Sequence, residues 1–411
     1  MENRYDKYKD SGIAWIGEIP EHWKVCKLST LFFQHKQKNN DTQESNLLSL
    51  SYGNIKRKDI NTSEGLLPES FENYNIIDKD DIVFRLTDLQ NDKRSLRSAL
   101  CKERGIITSA YIVIRKRSNL NSSYFNHLFR AYDECKVFYG LGEGVRQGMN
   151  YDDLRNLEIL LPEQTIQQSI AAYLDQKCGE IDELITLQEE MITKLQSYKQ
   201  SVITEAVTKG LDKNVPLKDS GIEWIGEIPE HWSIICLKRL CRISTGNQDT
   251  QDSIPDGKYP FFVRSPKVER SNNYTFEGPS ILMAGDGVGA GKVFHLADNK
   301  FACHQRVYCI NQFSVIVNRI YLFYYMSSLF YNIIDSANSK STVDSVRLPM
   351  LAEFPVCIPL KYEQQAIADY LNQKCSEIDE LISIKQQKIE KLKEYRKSLI
   401  FECVTGKRKV S

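Results

Sequence analysis

The sequence predicts an α+β fold in which two β-rich globular domains are separated by a pair of long antiparallel coiled-coil helices, as a pseudo-twofold internal repeat. The first observation is a repeated box, because residues 10–23 and 219–232 are identical at 13 of 14 positions. The second is a repeated helical segment, because residues 167–185 and 364–382 are identical at 15 of 19 positions. The third is that the long stretches between these repeats show little likeness. Internal repeats fix architecture, so two nearly identical frames hold two different inserts.

The repeats divide the 411 residues into six segments. A chain of this length can bury two or three separate cores. In order, the segments are a first repeat box at 1–23, a first divergent domain at 24–162, a central helical spacer at 163–210, a second box at 211–232, a second divergent domain at 233–359 and a C-terminal helical spacer at 360–411.

Both helical spacers carry apolar residues at heptad spacing, a pattern typical of a coiled coil. Gly210 and Gly406 suit the C-terminal ends of the helices, while Gly179 and Ser376 predict a kink or break between a short helix and a long one in each spacer. Two matching seams predict that the helices pack on each other; the alternative is that each helix packs on its own domain. The seam residues are Leu174, Ile181, Leu184, Met191, Leu195, Tyr198 and Val202 in the central spacer, and Leu371, Ile378, Leu381, Leu392, Tyr395 and Leu399 in the C-terminal one.

The boxes contain all four tryptophans of the chain: Trp15, Trp23, Trp224 and Trp232. They could serve as base-stacking platforms or as structural anchors. Aromatic side chains bury large areas, and both boxes are alike although the inserts differ, so we favour anchors. If a pseudo-twofold axis relates the two halves, the first box lies beside the end of the C-terminal helix.

In the first divergent domain, residues 82–89 and 105–116 are strand-like and rich in β-branched and aromatic residues. A polar, basic loop lies between them. Asn, Gln and Arg make bidentate contacts to adenine and guanine in the major groove, although a charged loop can be merely solvated. The candidate DNA-binding residues here are Arg85, Asn91, Lys93, Arg94 and Arg97.

In the second divergent domain, residues 285–290 loosely match a dinucleotide-binding turn. That chemistry requires a following helix, but the next residues predict a strand. A phosphate-binding Walker loop also fails, because Asp286 and Val293 stand where Gly and Ser or Thr are needed. We therefore expect a glycine-rich β-turn that lets a ligand approach the backbone closely. The surrounding candidate DNA-binding residues are Arg264, Arg270, Asn272, Asn273, Lys292 and Arg306.

Composition narrows the function classes. The formal net charge is zero, and each divergent domain has a small excess of basic residues, which permits nucleic-acid binding without demonstrating it. No methyltransferase, nuclease or hydrolase motif and no credible metal site is found, which points to a binding protein. Eleven cysteines without a C-x-x-C pair predict reduced thiols. With no apolar run long enough for a membrane span and no signal region, the predicted location is the cytoplasm.

Three features of the sequence resemble a known family, the specificity subunits of type I restriction-modification enzymes. They are the G-I-x-W-I-G-E-I-P-E-H-W boxes at 12–23 and 221–232, the E-Q-x-x-I-A-x-Y-L helix entry at Glu363, and the stretch DIVFRLTDLQNDKRSLRSAL at 81–100. The first helix entry departs slightly, with its Glu-Gln pair at 163–164 shifted three residues earlier. The resemblance covers nearly the whole chain.

The resemblance implies a non-catalytic subunit with two target-recognition domains, each reading half of a bipartite asymmetric site in double-stranded DNA. It also implies that the helices space these domains and dock two methyltransferase subunits, which use S-adenosylmethionine to methylate adenine at N6. Restriction subunits that use ATP and Mg²⁺ would join them, so this chain would hold no cofactor itself. Two alternatives are a methylation-only orphan subunit and a coiled-coil scaffold whose inserts bind protein.

Overall fold

The computed structural model describes residues 4–40, 42–59, 70–87, 89, 96–140, 148–337 and 345–410. The chain forms two compact units, in which unit 1 is Met1–Gln188 with Gln387–Ser411 and unit 2 is Glu189–Gln386. Each predicted helical spacer is therefore divided between the units.

Unit 1 is built around a four-stranded antiparallel sheet of order β4-β11-β8-β9, with two-stranded ladders β1-β2, β3-β12, β5-β6 and β7-β10. Its strands are β1 (Tyr8–Asp10), β2 (Glu18–Pro20), β3 (Lys24–Lys27), β4 (Phe32–Gln34), β5 (Leu48–Ser51), β6 (Asn54–Arg57), β7 (Asn75–Ile77), β8 (Ile82–Phe84), β9 (Ser98–Leu100), β10 (Gly105–Ile107), β11 (Ile112–Lys116) and β12 (Glu158–Leu161). Its helices are α1 (Leu28–Leu31), α2 (Ser122–Glu134), α3 (Tyr151–Leu154), the start of α4 (Gln164–Lys209) and the end of α8 (Lys361–Val404).

Unit 2 repeats this plan with a sheet of order β16-β22-β19-β20, the ladders β13-β14 and β15-β23, and a three-stranded sheet β18-β17-β21. Its strands are β13 (Leu217–Asp219), β14 (Glu227–Pro229), β15 (Ser233–Cys236), β16 (Arg242–Thr245), β17 (Tyr259–Phe262), β18 (Glu269–Ser271), β19 (Ser280–Ala284), β20 (Phe294–Ala297), β21 (Ala302–Cys303), β22 (Val307–Asn311) and β23 (Pro355–Ile358). Besides the other parts of α4 and α8, its helices are α5 (Arg319–Leu329), α6 (Tyr331–Ala337) and α7 (Leu348–Ala352).

The core of each unit lies between its four-stranded sheet and the helix that follows it. The inner strands β8 and β19 are buried along their whole length, as expected for strands covered on both faces. In unit 1, Phe125 and Phe129 of α2 pack against Phe32 of β4 with ring centroids 5.1 and 6.2 Å away. The prediction of β-rich domains with short helices is confirmed in both units.

A buried glutamine fastens each divergent domain to its long helix. In unit 1, the side-chain amide of Gln167 donates to the carbonyl oxygen of Pro162 at 2.9 Å and accepts from the backbone N–H of Asn121 at 3.1 Å. Asn121 in turn caps the N-terminus of α2. Gln364 makes the same contact to Asn318, the N-cap of α5, at 2.7 Å in unit 2. The repeated helix entry thus positions the last helix of each insert.

Each repeat box packs against the end of a long helix. In unit 1, the Tyr8 hydroxyl donates to the carbonyl oxygen of Gly406 at 3.0 Å, and Trp23 is completely buried. In unit 2, Trp232 is buried and a Cβ on Gly210 would lie 3.2 Å from its ring. The first box therefore lies beside the end of the C-terminal helix, as predicted, and burial confirms the anchor interpretation for the second tryptophan of each box.

A break at Gly179 or Ser376 is not observed, because α4 and α8 each run uninterrupted through those positions. A glycine inside a helix costs only about 1 kcal/mol. The buried side chains of Leu174 and Ile181 on either side offset that cost. No helix in the described ranges is long and apolar enough to cross a bilayer.

Within each unit, a segment of α4 packs antiparallel against a segment of α8. In unit 2, the Lys199 ammonium lies 2.6 Å from the Asp379 carboxylate, and the Lys385 ammonium lies 3.2 Å from the sulfur of Met191. The partner position falls along α8 as it rises along α4, which defines the antiparallel direction. In unit 1, Arg396 pairs with Asp182.

Only one of the two predicted lines of seam residues faces inward. The first line is buried or half-buried: Leu174, Ile181, Leu195, Val202, Leu371, Ile378, Leu392 and Leu399. The second line is exposed: Leu184, Met191, Tyr198, Leu381 and Tyr395. Met191 still contacts Lys385 of α8, whereas the assignment of the other four to the buried seam is wrong. The inward positions lie one residue further along, since Ile185 is 8% exposed against 43% for Leu184. Positions three and four residues after the first line lie to its left and right on the same helix face, and both carry apolar residues here.

A pair of alanine substitutions tests which of the predicted seam positions are buried. Ile181→Ala should lower the free energy of unfolding of unit 1 by about 2–4 kcal/mol, because it removes a buried side chain. The control Leu184→Ala removes an exposed one and should change it by less than about 1 kcal/mol. Urea unfolding followed by circular dichroism measures both, and equal losses would contradict the observed seam.

Candidate nucleic-acid interface

In unit 1, the structure describes two of the five candidate DNA-binding residues. Arg85 follows β8 and is half-buried. Arg97 is completely buried, and its guanidinium donates to the carbonyl oxygen of Thr87 at 3.2 Å. Asn91, Lys93 and Arg94 lie outside the described residues.

The placement of Arg97 does not fit the prediction that it contacts a base. Its backbone N–H donates to Asp133, and its guanidinium lies 5.7 Å from the centre of the Tyr139 ring. Burial raises the pKa of Asp133 to about 6, although the hydrogen bond from Arg97 opposes the shift. Arg97 is therefore a structural residue that fastens the start of β9 to α2.

In unit 2, two of the candidate cations meet on one carboxylate. Arg264 donates to Asp286 at 3.0 Å, and Arg306 donates to the other oxygen of the same side chain. Burial raises the pKa of Asp286, but the hydrogen bonds from Arg306 and Arg264 outweigh it and hold the pKa below its usual range. Both guanidiniums remain exposed to solvent, at 43% and 61% of the side chain. We call these three residues the arginine clamp.

The clamp lies at the base of the glycine-rich loop 285–293, which joins β19 to β20. The backbone N–H of Gly291 donates to the carbonyl oxygen of Ala284 at 2.9 Å, which closes the loop at its base. Gly287 and Gly291 have φ of +71° and +64°, a region that favours glycine. An antiparallel strand follows the loop, so the glycine-rich β-turn is confirmed and a dinucleotide-binding turn is excluded.

The other four candidates of unit 2 lie elsewhere or hold local structure. Arg270 donates to the carbonyl oxygens of Gly257 and Lys258 at 2.6 and 3.0 Å, next to the β17–β18 hairpin. Asn272 accepts from the backbone N–H of Lys258 at 3.3 Å, and Asn273 is exposed. The Lys292 ammonium lies 4.1 Å from the centre of the Tyr331 ring.

Two features of this surface were missed from the sequence. In the sequence, Asp286 only departs from a phosphate-loop pattern, whereas in the structure its carboxylate accepts hydrogen bonds from both arginines. Val288 is the most exposed large hydrophobic residue of the described chain. The alternation of glycines around both residues was a usable signal, because it predicts a tight turn that projects the residues between them.

A cluster in unit 1 has the residue types of a metal site, but its carboxylates are already ion-paired with arginine. Ligand atoms of His35, Asp78 and Asp81 lie within 4.8 Å of one another. The Arg115 guanidinium already donates to Asp81 at 2.7 Å and to Asp78 at 2.8 Å. The Arg104 guanidinium also donates to Asp78 at 2.8 Å. Because two guanidiniums already balance the two carboxylates, we interpret the cluster as a structural ion-pair network.

Residues 229–394 match the family model described as "Type I restriction modification DNA specificity domain". The chain is similar to the type I restriction enzyme EcoDI specificity subunit of Escherichia coli, with 25% identity over 181 residues. That match covers 44% of this chain and 39% of the relative, so it spans about two fifths of that protein's length. The putative type I restriction enzyme MjaX specificity subunit of Methanocaldococcus jannaschii is 24% identical over 96% of both chains.

A solved structure described as "Structural basis underlying complex assembly and conformational transition of the type I R-M system" shares the fold, with a TM-score of 0.70 and 16% identity. The similarity covers 94% of this chain and 99% of that one. The repeated frame, the match of residues 229–394 to the specificity-domain model and the similarity to the full-length relative agree: the chain is similar to type I restriction-modification DNA specificity subunits.

Proposed function

We propose that this chain reads a bipartite asymmetric site in double-stranded DNA, with each unit reading one half, and that it contains no catalytic site of its own. The observation that carries this proposal is that the boxes and long helices make the same contacts in both units, while the inserts that they hold differ in their exposed residues. Tyr124 in unit 1 and Tyr321 in unit 2 make the same contact, each donating to the carbonyl oxygen of Val404 or Val207 in the last turn of a long helix, at 3.4 and 3.2 Å. The side chains that face solvent from the inserts do not repeat.

The arginine clamp supports DNA reading by unit 2. A guanidinium can donate two hydrogen bonds to guanine or neutralise a phosphate, and both roles need it exposed. Asp286 holds two exposed guanidiniums in one place, so they reach DNA in a fixed geometry. A fixed geometry favours discrimination between sequences, because less side-chain freedom is lost on binding.

The long helices supply two matching surfaces for partner proteins. In unit 1, Leu184, Leu187 and Tyr395 are exposed apolar residues on α4 and α8. In unit 2, the equivalent positions of the repeat are Leu381, Ile384 and Tyr198, and they are exposed as well. We call these the two apolar stripes. Exposed apolar patches mark interaction sites, and two equivalent patches suit two copies of one partner.

The partner that fits this proposal is a methyltransferase subunit, bound once to each apolar stripe. The methyltransferase subunits would use S-adenosylmethionine to methylate adenine at N6 within the site. Restriction subunits that use ATP and Mg²⁺ would join the same assembly. This chain would contribute the sequence preference and would hold none of these cofactors.

Single substitutions in the stripes should remove one partner at a time. Leu184→Asp places a carboxylate in the proposed interface of unit 1 and should weaken one methyltransferase site at least tenfold, since a buried leucine contributes about 1.5–3 kcal/mol. Leu381→Asp should do the same for the other site, and the double variant should bind neither copy. Native mass spectrometry of the assembled complex counts the copies.

Thr186→Asp is the matched control for that experiment. It adds the same charge to an exposed position of α4 on the opposite side of the helix from Leu184. It should leave both copies bound. Two bound copies in the Leu184→Asp/Leu381→Asp double variant would contradict docking at the stripes.

Substitutions in the inserts should affect one half-site each. Arg306→Ala should lower discrimination within the half-site read by unit 2 by about 1–3 kcal/mol and leave the other half unchanged. Arg94→Ala remains the corresponding prediction for the first half. The measurement is methylation selectivity on duplex libraries in which one half is randomised.

Arg239→Ala provides a charge-matched control, because Arg239 is an exposed arginine at the start of the second divergent domain and is not part of the clamp. It should leave the selectivity of both halves intact. Equal loss at both halves from Arg306→Ala and Arg94→Ala would show that the units do not read independently.

A further inference from the structure

The tip of the loop 285–293 presents one apolar side chain to solvent. Val288 is 93% exposed, and it stands alone between Gly287 and Gly289. Single exposed apolar residues are common on protein surfaces. Exposure alone is therefore not evidence that Val288 has a role; the position and the surroundings of the side chain must also support one.

The loop backbone fixes the position of Val288. The N–H of Ala290 donates to the carbonyl oxygen of Gly287 at 2.9 Å, and Ala290 itself is completely buried. A Cβ on Gly289 would lie 2.5 Å from the carbonyl oxygen of Arg264, so the loop is packed directly on the strand-end residue of the clamp. The turn that contains Val288 is therefore anchored on both sides.

The surroundings of Val288 are polar and cationic. Asp286 precedes it by two residues and is held by Arg264 and Arg306. Two guanidiniums against one carboxylate leave a net positive charge beside the apolar tip. Positive charge attracts the DNA backbone, whereas an apolar group in that setting needs an apolar partner on the DNA.

We propose that Val288 is a specificity-determining residue that contacts the C5-methyl group of a thymine in the major groove, a step that rests on the proposed reading of one half-site by unit 2. The thymine methyl is the apolar group that base edges present in that groove. The groove is wide enough to admit a two-stranded β-ribbon, so it also admits the tip of the loop that joins β19 to the edge strand β20. Apolar wedges that unstack bases are usually larger side chains, so methyl contact suits valine better.

The test uses the chain assembled with its methyltransferase partner and a target duplex identified by methylome mapping. Each thymine of the half-site read by unit 2 is replaced singly by deoxyuridine, which removes only the methyl group. One replacement should weaken binding by the wild-type complex about three- to tenfold. Val288→Ala should weaken binding to the unmodified duplex by a similar factor and should lose sensitivity to that one replacement. Val288→Thr, which keeps one methyl group, should fall between them.

Val315→Ala is the matched control, since Val315 is an 85% exposed valine of unit 2 away from the loop. It should bind as wild type and keep the deoxyuridine response. An unchanged deoxyuridine response in Val288→Ala, or the absence of any sensitive thymine, overturns the inference. If Val288→Ala loses affinity while no thymine is sensitive, the side chain acts as a wedge instead. A wild-type complex that fails to distinguish the mapped duplex from a shuffled one overturns the proposed function itself.

Discussion

The contact between a tryptophan and the glycine that ends a long helix is the constraint on which each unit depends. Gly406 has φ of +72°, and a Cβ at that position would lie 2.3 Å from the ring of Pro20 and 3.3 Å from Trp23. Only glycine satisfies both the left-handed turn and the close approach. The C-terminal end of α8 packs against the buried indole of Trp23, and its last turn accepts a hydrogen bond from Tyr124 of α2. The box, the long helix and the insert helix therefore meet at one contact, which we call the joint. Trp232 and Gly210 build the same joint in unit 2.

The two units show how structural stability and recognition are divided among residues. The contacts that hold each unit together repeat in both halves: the helix-entry glutamine, the insert-helix tyrosine and the box tryptophan. The arginine clamp and the tip at Val288 belong to one insert and contribute little to the core of unit 2. An insert can therefore change its exposed side chains while the joint that positions it stays the same. This separation explains why the boxes and helices are nearly identical while the inserts are not.

Much of the frame was predictable because repetition amplified weak signals. The box, the helix ends at Gly210 and Gly406 and the antiparallel pairing all followed from the same pattern seen twice. The sequence does not determine which of two neighbouring apolar side chains is buried, or which distant residues meet in the fold. Leu184 and Ile185 are adjacent apolar residues, and which of them is buried depends on which face of α4 packs against the rest of unit 1. Arg97 looked like its loop neighbours in composition, yet the partners Thr87 and Asp133 that bury it come from elsewhere in the chain. The clamp is not evident in the sequence, because the pairing of β19 with β22 brings Asp286 to Arg306, while Arg264 comes from the end of β17 in another sheet.

The division of the long helices between the units has a consequence for biosynthesis. Unit 2 occupies one uninterrupted run of the chain, whereas unit 1 is completed by residues 387–411. Domains generally fold as units while the chain emerges from the ribosome. Unit 1 is therefore synthesised first but completes its folding last. Trp23 cannot pack against Gly406 until all of unit 2 has been translated. During that interval the indole of Trp23 lacks the helix end that buries it in the folded unit.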